Sequence, residues 1–192
     1  DSSSNNTSIY SHGNTGIVKE ETNRGSGAHA NFGSSAIYMD GTGDYLSFPI
    51  SSDFASEAFG TPSGTSKDFT IEGWFKFGTD ADQGLWGIDG VNEFGLYYES
   101  SGTWITLREK IGTGDSNNLI RSYEAYTTNW QHVALVRAGT TTKIYINGVG
   151  AAGRTTTNNL PSFSAEELFE IGTDAYQVGG GREFQGHIDS FR

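Results

Sequence analysis

The residues from which a nucleophilic catalytic site could be built are a large supply of serines and four histidines, His12, His29, His132 and His187. No Gly-x-Ser-x-Gly turn, which presents the nucleophilic serine in many hydrolases, occurs in the sequence. His132 and His187 lie in alternating segments, where a hydrogen-bonded structural histidine is the simpler interpretation. Cysteine is absent, which excludes thiolate metal sites, disulfides and cysteine nucleophiles. No nucleophilic centre is therefore predicted.

A repeated tetrapeptide, Gly-Thr-Gly-Asp at 41–44 and 112–115, could be mistaken for a phosphate-binding loop. Neither copy is followed by the lysine that such loops use, and its acidic residue repels phosphate. The whole chain carries a net charge of −11. Such a surface repels phosphate backbones, so we expect no nucleic-acid partner.

Hydrophobic residues alternate with polar ones along much of the chain, which predicts short strands with one buried face. The clearest run is Phe69–Phe77. Similar runs are Ala36–Met39, Asp44–Pro49, Leu85–Asp89, Phe94–Glu99, Thr103–Glu109, His132–Ala138, Thr142–Asn147, Leu168–Ile171 and Phe184–Arg192. Strand parity predicts a core that contains Phe69, Ile71, Phe75, Phe77, Val133, Leu135, Ile144, Ile146 and Ile188.

Turn signals separate these runs, and Asn147-Gly148 is the strongest because Asn-Gly readily adopts the positive φ angles of a type I′ turn. Helical signals are restricted to single turns at Ser52–Glu57 and Ser164–Leu168, the second with a capping-box pattern. Two segments, Thr113–Asn118 and Val178–Gly181, are predicted to be flexible loops.

Aromatic residues are abundant, with 12 Phe, 9 Tyr and 4 Trp, and their large buried areas can fill a core. No proline-rich or charged linker divides the chain, so we predict one domain over residues 1–192. No apolar run is long enough to span a bilayer, and we expect no membrane insertion.

Four blocks of sequence carry a family resemblance. They are Ser34–Leu46 with its Asp-Gly-Thr-Gly-Asp-Tyr, Asp68–Phe75 with Phe-Thr-Ile-Glu-Gly-Trp, Trp130–Gly148 with Trp-Gln-His-Val and Tyr-Ile-Asn-Gly, and Phe184–Arg192 with Gly-His-Ile-Asp-Ser-Phe-Arg. The chain resembles laminin G-like domains of the concanavalin A-like lectin/glucanase superfamily, of the type found in phage structural proteins and bacterial surface proteins. The resemblance implies an all-β jelly-roll sandwich of two antiparallel sheets, as a segment of a longer chain.

Hydrolases on this fold use carboxylates in a Glu-x-Asp-x-x-Glu or Glu-x-Asp-x-Glu motif, with one group as nucleophile and one as acid. Neither motif occurs in this sequence. Glu170 and Asp174 are too widely spaced, and Glu166 and Glu167 are adjacent, so their side chains would point to opposite faces of a strand. We therefore expect a domain that is not an enzyme.

For carbohydrate binding, the fold implies a concave sheet on which flat aromatic rings stack against sugars. Candidate members of this platform are Trp74, Tyr97, Trp104 and Tyr126. Trp74 lies on the polar parity of its strand. The alternative is that each ring is only half-buried beneath a loop.

The resemblance also implies a structural calcium site near one sheet edge, at Asp40, Asp44 and Asp189. Calcium prefers several carboxylate and carbonyl oxygens, which Asp- and Gly-rich loops supply. Alternatively, Asp40-Gly41 is only a turn and Asp189 only a hydrogen-bonding residue at a strand end.

The predicted function is a non-catalytic surface-binding module for a glycan or host surface, within a phage tail or capsid decoration protein or an extracellular protein. The expected location is the virion surface or the extracellular space, with a larger structural assembly as a further partner. One alternative is a purely structural decoration domain without a ligand. Another is a glycoside hydrolase with an unrecognised site.

Overall fold

The computed structural model describes residues 8–19, 31, 35–50, 59, 67–90, 93–110, 117–122, 127–155, 163, 167–174 and 182–192. Within these ranges the chain forms fourteen strands. The strands are β1 (Tyr10–His12), β2 (Gly16–Lys19), β3 (Ser35–Asp40), β4 (Tyr45–Pro49), β5 (Phe69–Phe77), β6 (Gln83–Asp89), β7 (Glu93–Glu99), β8 (Trp104–Lys110), β9 (Asn117–Arg121), β10 (Gln131–Ala138), β11 (Thr141–Ile146), β12 (Val149–Thr155), β13 (Leu168–Ile171) and β14 (Gln185–Asp189).

The strands pair into two antiparallel seven-stranded sheets, as predicted for a jelly-roll sandwich. Sheet 1 has the order β1-β4-β13-β6-β7-β8-β9, and sheet 2 has the order β12-β11-β10-β5-β14-β3-β2. Neighbouring strands are often distant in sequence, so each sheet brings together side chains that no local motif links. Among the described residues, no helix has the length and apolar character that crossing a membrane requires.

Strand β5 shows how the alternating sequence builds the core between the sheets. Its residues at 71, 73, 75 and 77 are buried, whereas those at 70, 72, 74 and 76 are more exposed. Phe75 and Phe77 each contact Phe184, a residue that joins the two sheets near β14. Burying one such aromatic side chain stabilises the fold by about 1.5–3 kcal/mol.

The predicted core is confirmed. Seven of the nine predicted residues are buried, and Phe69 and Ile146 are partly buried and pack against them. The predicted hairpin is also confirmed, since Asn147 and Gly148 connect β11 to β12 with φ angles of 51° and 78°.

The strands missed by the sequence analysis are β1, β2, β9 and β12, which are the edge strands of the two sheets. An edge strand has a neighbour on one side only, and short or polar edge strands are common in natural sheets. Their sequences therefore lack the strict alternation that marks a central strand. The predicted flexible loop Thr113–Asn118 is wrong at its end, because Asn117 and Asn118 belong to β9.

The helical element with described bounds is a single 3₁₀ turn at Ser100–Gly102, which was not predicted. Residues 52–57 and 164–166, which hold most of the two predicted helical turns, lie outside the described residues, as does the predicted loop Val178–Gly181. Leu168, at the end of the second predicted turn, begins β13 instead.

Candidate functional site

Polar side chains are buried on the outer face of sheet 1, where solvent exposure would be the ordinary outcome. Strand parity directs Phe94, Leu96 and Tyr98 of β7 into the core, so the alternate residues of β7 and of its neighbours face outward. Several of these outward residues are nonetheless buried, among them Ser47, Tyr97, Thr106 and Glu170. Burying polar or charged groups costs free energy unless they have partners, so this face is a candidate site.

An ion-pair network, here called the arginine cluster, occupies one end of this face and contains Asp82, Tyr97, Arg108, Asp174 and Arg182. The Oδ2 atom of Asp174 accepts hydrogen bonds from Arg108 Nη1 at 3.0 Å and from Arg182 Nη1 at 3.1 Å. Arg182 also lies 3.7 Å from Asp82. One carboxylate thus fixes the positions of two guanidinium groups.

The backbone that carries Asp174 is held in place by two glycines. Gly172 follows β13 with a φ of +86° and turns the chain. The backbone of Thr173 and Asp174 then crosses Gly84 of β6 so closely that it leaves no room there for a Cβ atom. The absence of a side chain at Gly84 therefore lets Asp174 reach Arg108.

The Tyr97 ring lies beneath the two arginines. The guanidinium carbon of Arg108 is 4.1 Å from the ring centroid, and that of Arg182 is 5.7 Å from it. Such cation–π contacts add to the ion pairs, especially where water is excluded. Tyr97 is only 3% exposed, so it supports the arginines and does not offer an open ring face.

The electrostatics of the cluster favour the ionised form of the Asp82 carboxylate. Burial alone would raise the pKa of Asp82, but hydrogen bonds from Ser100 and the nearby charges of Arg182 and Arg108 lower it. The Ser100 backbone N–H and hydroxyl donate to Asp82 Oδ1 at 2.9 and 2.8 Å. The Asp82 carboxylate is therefore a fixed hydrogen-bond acceptor at neutral pH.

A second aromatic–arginine pair lies beside the cluster, at the β8–β9 side of sheet 1. Arg121 lies over the half-buried Trp104 ring, 4.4 Å from its centroid, and its Nη2 is 3.2 Å from Glu99 Oε2. Glu99 also accepts hydrogen bonds from the Tyr97 hydroxyl and from Thr106, each at 3.3 Å. Glu99 therefore connects the second pair to the arginine cluster.

Glu170, on β13 of the same face, has an altered protonation state. Burial, with a smaller contribution from the Asp89 carboxylate, raises its pKa to about 8. Its Oε2 atom is buried and has no hydrogen-bond partner. Burial and the carboxylates of Glu170, Glu183 and Asp89 also raise the pKa of Tyr45. At neutral pH Glu170 is a neutral acid that can donate a proton in a hydrogen bond.

The structure separates the four aromatic residues of the predicted sugar platform. Trp74 lies on β5 in sheet 2, whereas Tyr97 and Trp104 lie on sheet 1. Tyr126 lies outside the described residues. A single platform of all four rings is therefore not what the fold builds, because the rings that can be compared occupy opposite sheets.

The structure brings Asp40 and Asp44 together but leaves Asp189 apart from them. Gln185 is the residue of β14 that pairs with Asp40, and Asp189 lies four residues further along that strand, roughly 13 Å away at 3.3 Å per residue. No group of three metal-binding side chains forms among the described residues. This separation exceeds what one ion can bridge, since calcium–oxygen bonds span only about 2.3–2.6 Å, so the structure does not bring the three predicted aspartates together.

Each of these aspartates instead accepts hydrogen bonds from nearby groups. The fully buried Asp44 accepts from the backbone N–H groups of Asn14 at 2.6 Å and Asp40 at 2.7 Å. Asp189 accepts from the Asn31 N–H at 2.9 Å and the Ser190 hydroxyl at 3.0 Å. Calcium binding at Asp40 and Asp44 alone stays a prediction.

Arg108, Asp174 and Arg182 form the centre of the arginine cluster, but sequence patterns indicate neither arginine, and they indicate Asp174 only as a candidate hydrolase carboxylate. Arg108 and Asp174 are 66 residues apart in the sequence, and no local motif marks their contact. One signal was present, since Arg108 shares the outward parity of β8 with Trp104 and Thr106.

Comparison with solved structures finds the same fold in other proteins. One similar structure is domain 4 of AbnA, a GH43 extracellular arabinanase from Geobacillus stearothermophilus, solved with arabinotriose (TM-score 0.59, 20% identity, 94% of this chain and 82% of that chain). Another is the CBM40 of a Ruminococcus gnavus IT-sialidase, bound to α2,3-sialyllactose (TM-score 0.52, 18% identity, 64% of this chain and 73% of that chain). No curated protein matches the sequence significantly.

The sequence itself also matches a family model. The model for laminin G-type domains of the concanavalin A-like lectin/glucanases superfamily aligns with residues 40–192, which include β4 to β14 and every residue of the arginine cluster. This chain therefore belongs to the concanavalin A-like lectin/glucanases superfamily.

Proposed function

We propose that this domain is a non-catalytic glycan-binding module that uses the outer face of sheet 1. The observation that carries the proposal is the cluster of ion-paired arginines, ionised carboxylates and aromatic rings on that face. Arg108 and Arg182 supply N–H donors in a fixed orientation, and Asp174 and Asp82 supply acceptors beside them. Adjacent donors and acceptors of this kind match the paired hydroxyl groups of sugars.

The partly exposed Trp104 ring and Arg121 add an apolar surface next to these polar groups. Ligand sites commonly combine such a surface with a few polar groups in fixed positions. Two neighbours with the same fold were solved with arabinotriose and with sialyllactose, which supports glycan as the ligand class here as well. We place the module on a bacterial or virion surface, where it attaches a larger protein to glycan.

The first prediction concerns Arg121, whose side chain is 39% exposed. In isothermal titration with arabinotriose and α2,3-sialyllactose, followed by a glycan array, we expect wild-type protein to bind at least one glycan. Arg121→Ala should weaken that binding by about tenfold, which corresponds to about 1.4 kcal/mol, because it removes a donor and exposes Glu99. Since Arg121 lies on the surface, the melting temperature should change little.

The matched control is Lys143→Ala, which removes an exposed cation from sheet 2 and should leave glycan affinity unchanged. An equal loss in both variants would contradict the assignment of the site to sheet 1. Absence of binding to every glycan would favour the purely structural alternative.

One observation favours a second candidate function, a glycoside hydrolase. Glycosidases pair a protonated carboxylic acid with an ionised carboxylate, and Glu170 is protonated at neutral pH beside Asp89. The two functions are distinguished by incubating wild-type protein with arabinan and β-glucan and measuring reducing ends. Release of sugar by the wild type, and its loss in Glu170→Gln, would establish hydrolysis and overturn the non-catalytic proposal.

A further inference from the structure

A second depression lies on the outer face of sheet 2, on the opposite side of the sandwich from the arginine cluster. This Trp74 depression has a volume of about 250 Å³ and is lined by Glu72, Trp74, His132, Ser190 and Arg192. It shares no residue with the arginine cluster. Its volume is below the roughly 300–1,000 Å³ of pockets for drug-sized ligands, which limits its occupant to a small ring.

The walls of the depression come from three neighbouring segments. Trp74 on β5 pairs in register with His132 on β10 and with Asp189 on β14. Ser190 then adopts a φ of 49°, and the chain turns back toward β5. The backbones of Glu72 and Arg192 exchange two hydrogen bonds, of 2.8 and 2.9 Å, which hold the C-terminal segment against β5 at one side of the depression.

Glu72 is held at the centre of these walls by Arg192 and His132. Its Oε1 atom accepts a hydrogen bond from Arg192 Nε at 2.6 Å, and its Oε2 atom lies 3.0 Å from His132 Nε2. The His132 backbone is fixed in turn, since its N–H donates to Asn147 Oδ1 at 2.9 Å. The carboxylate orientation therefore exists before any ligand arrives.

The chemistry of the lining indicates an uncharged, hydroxylated occupant with one apolar face. Trp74 is half-buried, and its ring is tilted by 50° to the His132 ring at a centroid distance of 5.3 Å. The charges of Glu72 and Arg192 are paired with each other at 2.6 Å, so neither is left to attract a charged ligand. A neutral ring can stack its C–H face on Trp74 while its hydroxyls bond to Glu72 and Ser190.

We propose that the Trp74 depression is a second carbohydrate site, which binds a single neutral pyranose or furanose ring. The inference rests on the proposed glycan-binding function for the class of ligand, but on separate residues for the site. With one site on each sheet, a single domain would bind two glycan chains at once.

The test follows the four tryptophan indole N–H signals in ¹⁵N-resolved NMR spectra during titration with methyl glycosides of glucose, galactose, mannose and arabinose. The Trp74 signal is assigned by its absence from Trp74→Phe. We expect this signal to shift in a saturable manner with at least one glycoside. Trp74→Ala and Glu72→Gln should each weaken this binding by about tenfold, as measured on the His132 ring signals, and Lys143→Ala should leave it unchanged.

Different results would contradict the two proposed sites. Arg121→Ala on sheet 1 should leave the Trp74 titration unchanged, and if it abolishes the shift, the second site is overturned. No shift of the Trp74 signal with any of the four glycosides would also overturn it. Glu72→Gln keeps the volume of the side chain. Normal binding in a folded Glu72→Gln protein would show that the Glu72 carboxylate does not bind the ligand, and it would contradict the proposal.

Discussion

Glu170 shows how one side chain makes the stability of this domain depend on pH. Its carboxyl group is 1% exposed, and burial together with Asp89 raises its pKa to about 8 from the 4.5 of an exposed glutamate. Between these values the folded protein holds a proton that the unfolded chain has released. Stability contributed by this group is complete below about pH 4.5 and falls as the pH rises through 8.

We therefore predict that the free energy of unfolding decreases by about 1.4 kcal/mol for each pH unit within this window, as far as Glu170 determines it. Glu170→Gln mimics the protonated acid and should flatten the dependence, so that the variant is the more stable protein at pH 8. Urea denaturation between pH 5 and 8 measures this. The control Asp68→Asn removes an exposed carboxylate and should keep the wild-type dependence of the free energy of unfolding on pH. The same pH dependence in Glu170→Gln and wild type would contradict the prediction.

Asp44 tests the remaining calcium hypothesis. Both of its oxygens accept backbone N–H groups in a fully buried position, and Asn can supply only one acceptor oxygen. Asp44→Asn should therefore destabilise the domain by about 1–3 kcal/mol, and it should do so in chelator as well, because the lost hydrogen bond needs no ion. A wild-type melting temperature that falls in chelator and recovers in calcium would instead support an ion at Asp40 and Asp44.

Residue roles were harder to predict than residue positions. Parity places Tyr97 and Arg108 on the same outward face, but it does not show that the Arg108 guanidinium group covers the Tyr97 ring. Asp40 and Asp189 lie on adjacent strands in the predicted fold, and only the register shows that they sit at different positions along them.

At the scale of elements, the crossing of the β13 end over Gly84 determines where Asp174 lies. We predict that Gly84→Ala displaces Thr173 and Asp174, since a Cβ would collide with their backbone. Overpacking of this kind lowers the free energy of unfolding by about 1–3 kcal/mol. The glycan affinity of the arginine cluster should fall by more than this loss of stability alone would cause.

Gly150→Ala is the matched control for this crossing. It introduces the same methyl group into β12, where the nearest heavy atom, in the Tyr145 ring, is 3.5 Å away. Thermal melting and glycan titration of both variants check the prediction. Equal affinity in Gly84→Ala and wild type would show that the position of Asp174 does not matter for the ligand.

The elements themselves divide into those that the sequence predicts and those that it does not. Central strands such as β5 and β14 have a neighbour on both sides and a core on one face, and their buried and more exposed residues alternate clearly. Edge strands such as β9 and β12 are constrained on one side only. The glycines and small residues of Val149–Thr155 can form a strand there without any alternating pattern.

For the whole molecule, the dominant long-range effect is a net charge of −11. Like charges repel throughout the folded domain, and at physiological ionic strength the screening length is about 8 Å. We predict that the melting temperature rises by a few degrees when NaCl is increased from 20 to 300 mM, as differential scanning calorimetry would show. A decrease would mean that the ion pairs of the arginine cluster outweigh the general repulsion.

The family resemblance extends over both sheets, so it was sufficient to predict the fold of the whole molecule. It could not predict which sheet would bind a ligand. Both sheets direct alternate residues to an outer face, and either outer face could hold a ligand site. The contacts that distinguish the faces, Arg108 with Asp174 and Glu72 with Arg192, join residues that the chain keeps far apart.

The position of β14 has a consequence for biosynthesis. β14 lies between β5 and β3 in the middle of sheet 2, although both of those strands are far upstream in the chain. At about 5–20 residues per second, the ribosome needs on the order of ten seconds to make the intervening segment. During that time the edges of β3 and β5 that later pair with β14 have no partner strand. Sheet 2 is completed only after residue 189 leaves the exit tunnel. Nascent chains would need chaperone protection until then.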